Sequence, residues 1–292
     1  MNTMYEQHIQ WLFKTNAIKV CPPNKPFWYT SGTIGPYYIN THFLYGNEEK
    51  AGRLLEFIDN SKDDINAFPE KLTKRLWENY CSDCIYKNVT DQIHMLIKEK
   101  IGINKIDYIS GGERRDWFFS FLLAKLLDKP HLTIYKDFRI YEFHKDKVNL
   151  PGILAGKSIL HIADLLTEGS SYERTWIPAI RNIEGRIRWS VVVVDRKQGG
   201  KNLPERYGIE LYPIIEIGKE TFKMAMDMGL INAEQYNMII EFMDDPRESM
   251  RNFLVNNPGF IENSLSSGGK EAERAKLCIE NNIYGIDIIE WQ

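Results

Sequence analysis

The sequence predicts an α/β protein: a mainly parallel twisted sheet with helices on both faces, a small N-terminal hood and a helical C-terminal extension. Three observations lead there. Between residues 106 and 217, short β-branched runs alternate with helical stretches, the pattern of parallel strands joined by crossovers. Within that region Val191, Val192, Val193 and Val194 form a continuous apolar run, as strands buried on both faces do. Residues 157–171, KSILHIADLLTEGSS, read as a strand, a polar Gly/Ser turn and the start of a helix.

Length and composition agree. The chain has 292 residues, enough for one large α/β domain with an appendage. The domain is placed at 1–218, with the hood at about 20–46 and a helical insertion at about 61–100; the extension is 219–292. With 43% hydrophobic and 26% charged residues, the chain can bury a core without disulfide or metal staples. A formal net charge of −3 gives no electrostatic case for a nucleic-acid or membrane partner. No apolar run approaches the roughly 18 residues of a membrane span. The opening MNTMYEQHIQW lacks the basic-then-apolar order of a signal peptide, so a cytoplasmic protein is expected.

The elements follow in order. Ile9, Leu12 and Phe13 recur at helical spacing within 4–15. Pro22, Pro23 and Pro26 then exclude helix. Residues 27–46 alternate aromatics with Ser-Gly and Gly-Pro, predicting two short strands joined by a turn around 32–36. A helix over 47–60 is capped by Asn47, with Glu48 and Glu49 in its first turn. After a polar break at 61–67, residues 69–100 form one or two helices interrupted near 81–88. Residues 106–109 predict a strand, 110–115 a tight glycine turn, 116–127 an apolar helix and 131–135 a strand followed by a loop over 137–152. A helix at 172–183 and strands at 189–194 and 209–217 complete the domain. Helices are expected beyond it at about 219–229, 233–244, 246–255 and 269–281, with a Ser/Gly-rich break at NSLSSGG.

Three places carry chemistry. At 167–171 a polar turn opens a helix, where outward N–H groups and about half a positive charge favour a phosphate. Thr167, Ser170 and Ser171 add hydroxyl donors, and Gly169 permits a backbone that a Cβ opposes. Asp164, at the strand's carboxyl end, suits sugar hydroxyls or a hydrated Mg2+. The plainer reading is an ordinary strand–turn–helix corner. Gly111 and Gly112, followed by Arg114 and Arg115, suit a diphosphate, although a βα connection alone would also look this way. The loop over 137–152 carries Arg139, His144, Lys145 and Lys147 diluted by Asp137, Glu142 and Asp146; it is either a solvated loop or a cationic lid. Cys81-x-x-Cys84 fits half a zinc site or a redox pair, but Cys21 and Cys278 lie far off in sequence, and structural cysteines are expected.

Residues 159–169 resemble the phosphoribosyl-pyrophosphate (PRPP) motif of type I phosphoribosyltransferases, in the version carried by the orotate enzymes. Asp164, Thr167, Glu168 and Gly169 fit that motif, while Ala163 replaces its first acid. Phe27, Ser31, Gly32, Pro36, Tyr37, Tyr38 and Asn40 are in register with the orotate enzymes' hood, with Thr30 where they carry a lysine. Gly111-Gly112-Glu113 resembles their pyrophosphate loop, Tyr135-Lys136 stands where they have Arg-Lys, and Asp195-Arg196 resembles their Asp-Arg strand end. The likeness spans about 27–217, with hood, Gly-Gly loop, PRPP loop and Asp-Arg end in the family's order.

The resemblance implies transfer of 5-phosphoribose from PRPP to a nucleobase, orotate above all, with Mg2+ and release of pyrophosphate. It implies PRPP contacts from Gly111, Gly112, Glu113, Arg114, Lys136, Arg139, Asp164, Leu165, Leu166, Thr167, Glu168, Gly169, Ser170 and Ser171. Base contacts would come from Tyr38, Ile39, Thr167 and Arg196, and Mg2+ would meet Asp164 through PRPP. Asp164 and Lys136 would be catalytic, acting by positioning and charge stabilisation. A homodimer is implied in which the segment 136–147 reaches the partner's site. The alternative is a non-catalytic regulator with the same fold that binds PRPP or a nucleotide; Ala163, Thr30, Tyr135 and the long tail favour it.

Overall fold

The structure is a computed structural model that describes residues 3–200 and 202–286. It opens with helix α1 (Met4–Lys14), started by a reciprocal capping box: the Thr3 hydroxyl accepts from Glu6 N–H at 3.2 Å and the Glu6 carboxylate accepts from Thr3 N–H at 2.5 Å. Four short strands follow: β1 (Ile18–Val20), β2 (Phe27–Trp28), β3 (Ile34–Gly35) and β4 (Tyr37–Ile39). Then come α2 (Glu48–Ser61), α3 (Phe68–Ser82) and α4 (Cys84–Leu96). Asp83 is the interruption expected near 81–88. It ends α3 and caps α4, its carboxylate accepting from the N–H groups of Ile85 and Tyr86 at 3.1 Å each, and it pairs with Lys50 at 3.0 Å.

The sheet region runs β5 (Tyr108–Gly112), α5 (Trp117–Leu126), β6 (His131–Ile134), β7 (Ile140–His144), β8 (Lys147–Asn149) and β9 (Ser158–Leu166). A wide helical turn, Tyr172–Trp176, leads into α6 (Ile177–Asn182), followed by β10 (Arg186–Asp195), the short α7 (Asn202–Arg206) and β11 (Glu210–Glu216). The sheet has seven strands in the order β11-β10-β9-β5-β6-β7-β8. Neighbours from β11 to β6 run parallel, and β7 and β8 add antiparallel at one edge.

The two faces bury different elements. Ile159 and Ala163 of β9, Ile187 and Val192 of β10, and Leu132 and Ile134 of β6 share a buried cluster with Trp176, Ile177 and Ile180. α5 is apolar nearly all round, with eight of its ten residues buried, because α3 and α4 cover its outer side. Phe68 of α3 lies 5.5 Å from the Trp117 ring, and the Tyr86 hydroxyl of α4 donates to the Phe118 carbonyl. The segment read as an insertion is therefore part of the core, with Phe68, Leu72, Leu76, Val89 and Ile93 fully buried.

The loop expected over 137–152 is largely a β-hairpin. His144 pairs with Lys147 across a two-residue turn in which Lys145 and Asp146 both have positive φ, +50° and +59°. Ile140 and Phe143, 7% and 8% exposed, anchor β7 to the core.

Contacts divide the chain into two units, residues up to 17 with 41–218, and 18–40 with the residues from 219 onward. The sequence boundary at 218 had grouped the hood with the sheet; by contacts the hood belongs with the tail. The tail holds α8 (Lys219–Asp227), α9 (Ala233–Asp244), α10 (Pro246–Asn256), α11 (Gly259–Ser267) and α12 (Gly269–Glu280). NSLSSGG, expected as a break, lies mostly inside α11; the interruption shrinks to Gly268, at φ +73°. In the hood, β1 pairs with β4 and β2 with β3, both antiparallel, so residues 27–46 hold three short strands rather than two. The tail supplies their core: the Tyr37 ring lies 4.9 Å from Phe222 and 5.9 Å from Phe242, Trp28 Nε1 donates to Ser264 Oγ at 2.9 Å, and Ile34 N–H donates to the Tyr284 hydroxyl at 2.8 Å. Cys21 and Cys278 are buried in this unit, while Cys81 and Cys84 are free and exposed in the other. Among the described residues, no helix is long and apolar enough to cross a membrane.

Asp83 serves two helices at once, so Asp83→Ala should cost more than its ion pair with the half-exposed Lys50. The expected loss is about 1–2 kcal/mol, the upper range for an N-cap, read from the urea midpoint. A change below a few tenths would show that the cap carries little.

Candidate active site

β9 leaves the sheet between β5 and β10 and turns at Gly169, whose φ of +78° a side chain would oppose. Tyr172 N–H donates to the Gly169 carbonyl at 3.0 Å and begins the wide helical turn. Thr167 is half-buried; Glu168, Ser170 and Ser171 are exposed. Leu165 and Leu166 are still strand, in register with Val194 and Asp195 of β10. Ala163 lies in the core.

Gly111 and Gly112, expected in a turn, are the last two residues of β5, in register with Thr133 and Ile134 of β6. Close packing explains them: a Cβ on Gly111 would overlap Ser120 Oγ, and one on Gly112 would overlap Trp176 Nε1. The turn itself covers 113–116. The Glu113 carboxylate, 6% exposed, pairs with Lys62 and accepts from Lys136 N–H at 3.0 Å. Arg114 pairs with Asp59 of α2. The sequence reading turned both side chains toward a phosphate; here both have partners within the protein. Arg115, the other arginine expected to suit a diphosphate, is exposed.

Asp116 is the residue the sequence reading missed. It is 3% exposed, and its two carboxylate oxygens accept from Gly112 N–H and from Asp164 N–H, each at 2.9 Å. It thus ties the end of β5 and the start of α5 to β9. Asp164 is 8% exposed, and its Oδ2 is buried without a hydrogen-bond partner among the described residues. Its side chain is enclosed beside Asp116 rather than open at the strand end. Burial pushes both carboxyls up, to about 7, and the neighbouring Asp116 charge adds to the effect on Asp164. Two N–H donors favour the charged form of Asp116, so a single proton on this pair resides on Asp164. Around them, Ser110 Oγ bonds His161 Nδ1 at 2.9 Å, His161 lies 4.3 Å from the Trp176 ring, and Tyr172 and Ser190 join hydroxyls at 2.6 Å. A serine, a histidine and an aspartate scattered along three segments carry no sequence signal of this kind.

Tyr135 and Lys136 follow β6. The Tyr135 hydroxyl donates to the Lys62 carbonyl at 2.8 Å, and Lys136 is exposed. Arg139 donates from Nε to Asp137 Oδ2 at 2.7 Å and lies 4.9 Å over the Tyr135 ring. At the end of β10, Asp195 Oδ1 accepts from Lys197 N–H at 2.8 Å, and Arg196 N–H donates to the Leu166 carbonyl at 2.9 Å. The carboxyl ends of four parallel strands therefore gather Gly112, Lys136, Thr167 and Arg196 at one edge, where open α/β sheets bind ligands. Tyr38 and Ile39 belong to the other unit. There the Tyr38 ring lies 4.8 Å from Phe27 with its hydroxyl on the Trp28 carbonyl, and Ile39 is buried opposite Ile18. Among the described residues, no group of three or more His, Cys, Asp or Glu side chains forms a metal cage.

The buried carboxyl pair makes a pH prediction. Both folded values exceed the ordinary 3.8, so the folded protein keeps protons that the unfolded chain has released. Their contribution to stability is greatest below about 3.8 and is lost as pH climbs to about 7. His42, His131 and His161, each pushed down to about 3 chiefly by burial, act in the opposite direction and lose stability as pH falls from 6.5 toward 3. The carboxyl share is therefore read as a difference. Asp164→Asn should gain in urea midpoint over wild type between pH 4 and 7.5. A constant difference across that range would show that the pair does not titrate.

No family model matches the chain. An orotate phosphoribosyltransferase of Sulfurisphaera tokodaii is 27% identical over 215 residues, covering 73% of this chain and 87% of that protein. One from Pyrococcus horikoshii is 30% identical over 135 residues, covering 46% of this chain and 70% of that protein. Among solved structures, Leishmania donovani UMP synthase superposes with a TM-score of 0.56 at 15% identity, over 83% of this chain and 42% of that one. Francisella tularensis orotate phosphoribosyltransferase superposes at 0.51 and 15%, over 82% and 98%. At those identities the structural likeness is one of fold: the seven-stranded, mostly parallel sheet with helices on both faces. Together with the Pyrococcus relative, it makes the chain a member of the orotate phosphoribosyltransferase family, within the type I phosphoribosyltransferases.

Proposed function

We propose that this chain transfers 5-phosphoribose from PRPP to orotate, forming orotidine 5′-monophosphate and pyrophosphate in pyrimidine biosynthesis, as a cytoplasmic homodimer. The observation that carries the proposal is the meeting of the Gly169 turn, the β5 end at Gly112 and the β10 end at Arg196 on one edge of the parallel sheet. The turn at 167–171 holds the 5′-phosphate through backbone N–H groups and the hydroxyls of Thr167, Ser170 and Ser171. Lys136 and Arg115, both exposed, offset charge on the departing pyrophosphate. Arg196 offers a planar donor fork to the orotate carboxylate, with Thr167 as a further base contact.

The residues present fit Mg2+ that arrives on the substrate. Such an ion takes one or two carboxylates and fills its remaining positions with phosphate oxygens and water. The unpartnered Asp164 Oδ2 is a hard oxygen of that kind, and Asp164 would hold the ion once the shared proton has left and the carboxylate has turned out of its enclosure beside Asp116. When bound, the ion neutralises pyrophosphate charge.

A second reading, a non-catalytic PRPP- or nucleotide-binding regulator, draws on the enclosure of Asp164 and the internal partners of Glu113 and Arg114. Pyrophosphate release from PRPP with orotate, uracil or adenine separates the two. Release with orotate alone supports the enzyme; release with none supports the regulator.

If orotate is the substrate, Arg196→Lys should cost roughly 1.5–3 kcal/mol in kcat/KM, the scale of a hydrogen bond to a charged group, and leave PRPP affinity nearly unchanged. A neutral effect, or turnover of uracil by the wild type, would remove the carboxylate pocket. For the dimer, Asp164→Ala mixed with a variant altered at Lys136, Arg139 and Lys145 should regain part of the activity. Light scattering that finds a monomer would rule out that arrangement.

A further inference from the structure

The second unit contains a cavity of about 720 Å3, and its lining residues all come from 18–40 and the tail. That size lies within the range of about 300–1,000 Å3 typical of small-molecule sites. Its walls are aromatic. Phe27 and Tyr38 pair at 4.8 Å, and Trp28 stacks on Phe260 at 5.6 Å and 21°. Phe27, Tyr38 and Phe260 are half-buried, so their rings keep accessible faces. The indole of Trp28 is fixed by its hydrogen bond to Ser264 Oγ.

The polar lining is built too. Arg274 Nη1 donates to the Trp28 carbonyl at 2.8 Å, and the guanidinium also meets the Tyr38 hydroxyl, which holds it at the cavity. Lys25 lines the same cavity, and among the described residues no hydrogen bond or ion pair engages its ammonium. Two cations face one carboxylate, Glu271, so the site favours an anion. The Asn263 side-chain amide, also without a hydrogen bond among the described residues, offers a donor and an acceptor for the edge of a heterocycle.

We infer that this cavity binds a planar heteroaromatic anion of mononucleotide size, with the ring against Phe27, Tyr38 and Phe260 and the anionic group on Arg274 and Lys25. The inference does not depend on catalysis in the first unit. It gives the tail a role beyond completing the hood's core, that of carrying a second ligand site.

Calorimetry on the full chain tests it, with uridine 5′-monophosphate, adenosine 5′-monophosphate, orotate and inorganic phosphate as probes. Ser170→Glu places a negative charge in the phosphate turn of the first unit and so removes binding there. In that background a mononucleotide should still bind at one per chain, at least tenfold more tightly than inorganic phosphate. Arg274→Gln should weaken it at least tenfold. If loss of the Arg274 anchor unfolds the unit, Lys25→Gln carries the test instead, because that side chain is exposed and holds nothing in place; a threefold or greater loss is expected. Orotate binding more tightly than both nucleotides would identify a carboxylate as the preferred anion, and the reverse order a phosphate; either supports the site. Loss of all mononucleotide binding in Ser170→Glu, equal affinity for phosphate and nucleotide, or an unchanged Kd in Arg274→Gln and Lys25→Gln would overturn it.

Discussion

The Asp116 carboxylate is the tie on which the candidate site depends. It stands at the start of α5, yet its two oxygens hold the N–H of Gly112 in β5 and the N–H of Asp164 in β9. Adjacent parallel strands are normally fixed to each other by ladder bonds alone. Here the ladder between β5 and β9 ends at Ser110 and His161, so a side chain takes over the alignment of the strand ends. Burying a carboxylate is costly unless its acceptors are filled. Asp116 meets that condition with two backbone donors, and the second carboxyl beside it, Asp164, carries the shared proton. The turn after β9 therefore leaves the sheet at a height set by Asp116.

A polar layer beneath that tie is hydrogen-bonded across the strands, with His161 Nε2 left without a hydrogen-bond partner among the described residues. Ser110, His161, Ser190 and Tyr172 bond one another across β5, β9, β10 and the turn after β9. Burial holds the histidine neutral, so it packs against Trp176 as an aromatic ring and adds no buried charge. On the other side, Glu113 links Lys62 at the end of α2 to the backbone at Lys136. Buried hydrogen bonds of this kind help fix the register of the strands they join. Arg115 and Lys136, at the ends of β5 and β6, remain exposed.

The hood answers a different constraint. Its strands are two or three residues long, too short to be stable alone. The tail provides what they lack: aromatic partners for Tyr37, a hydroxyl for Trp28 and a phenol for the backbone at Ile34. Hood and tail lie nearly two hundred residues apart in sequence and make one unit.

Local rules were enough for much of this. The valine run of β10, the strand–turn–helix order at 157–171, the Asn47 cap, the proline break after Cys21 and the glycine at 169 follow from propensity, periodicity and backbone sterics within a few residues. The motif residues Asp164, Thr167 and Gly169 could be named for the same reason, and Arg196 through the family resemblance. What the sequence could not decide was which distant groups would meet. That Gly111 and Gly112 are strand residues emptied for Ser120 and Trp176 depends on α5 and the turn after β9 closing over them. That Glu113 is buried against Lys62 and Arg114 pairs with Asp59 depends on the approach of α2 and its C-cap. The 137–152 loop becomes a hairpin because β6 offers it an unpaired edge, and NSLSSGG becomes helix because Ile261 and Ser264 find a core. Asp116 looked like the first residue of a helix; only the approach of β9 makes its carboxylate a bridge. Each of these outcomes turns on hydrogen bonds and contacts between segments far apart along the chain, and those form only when the whole fold closes.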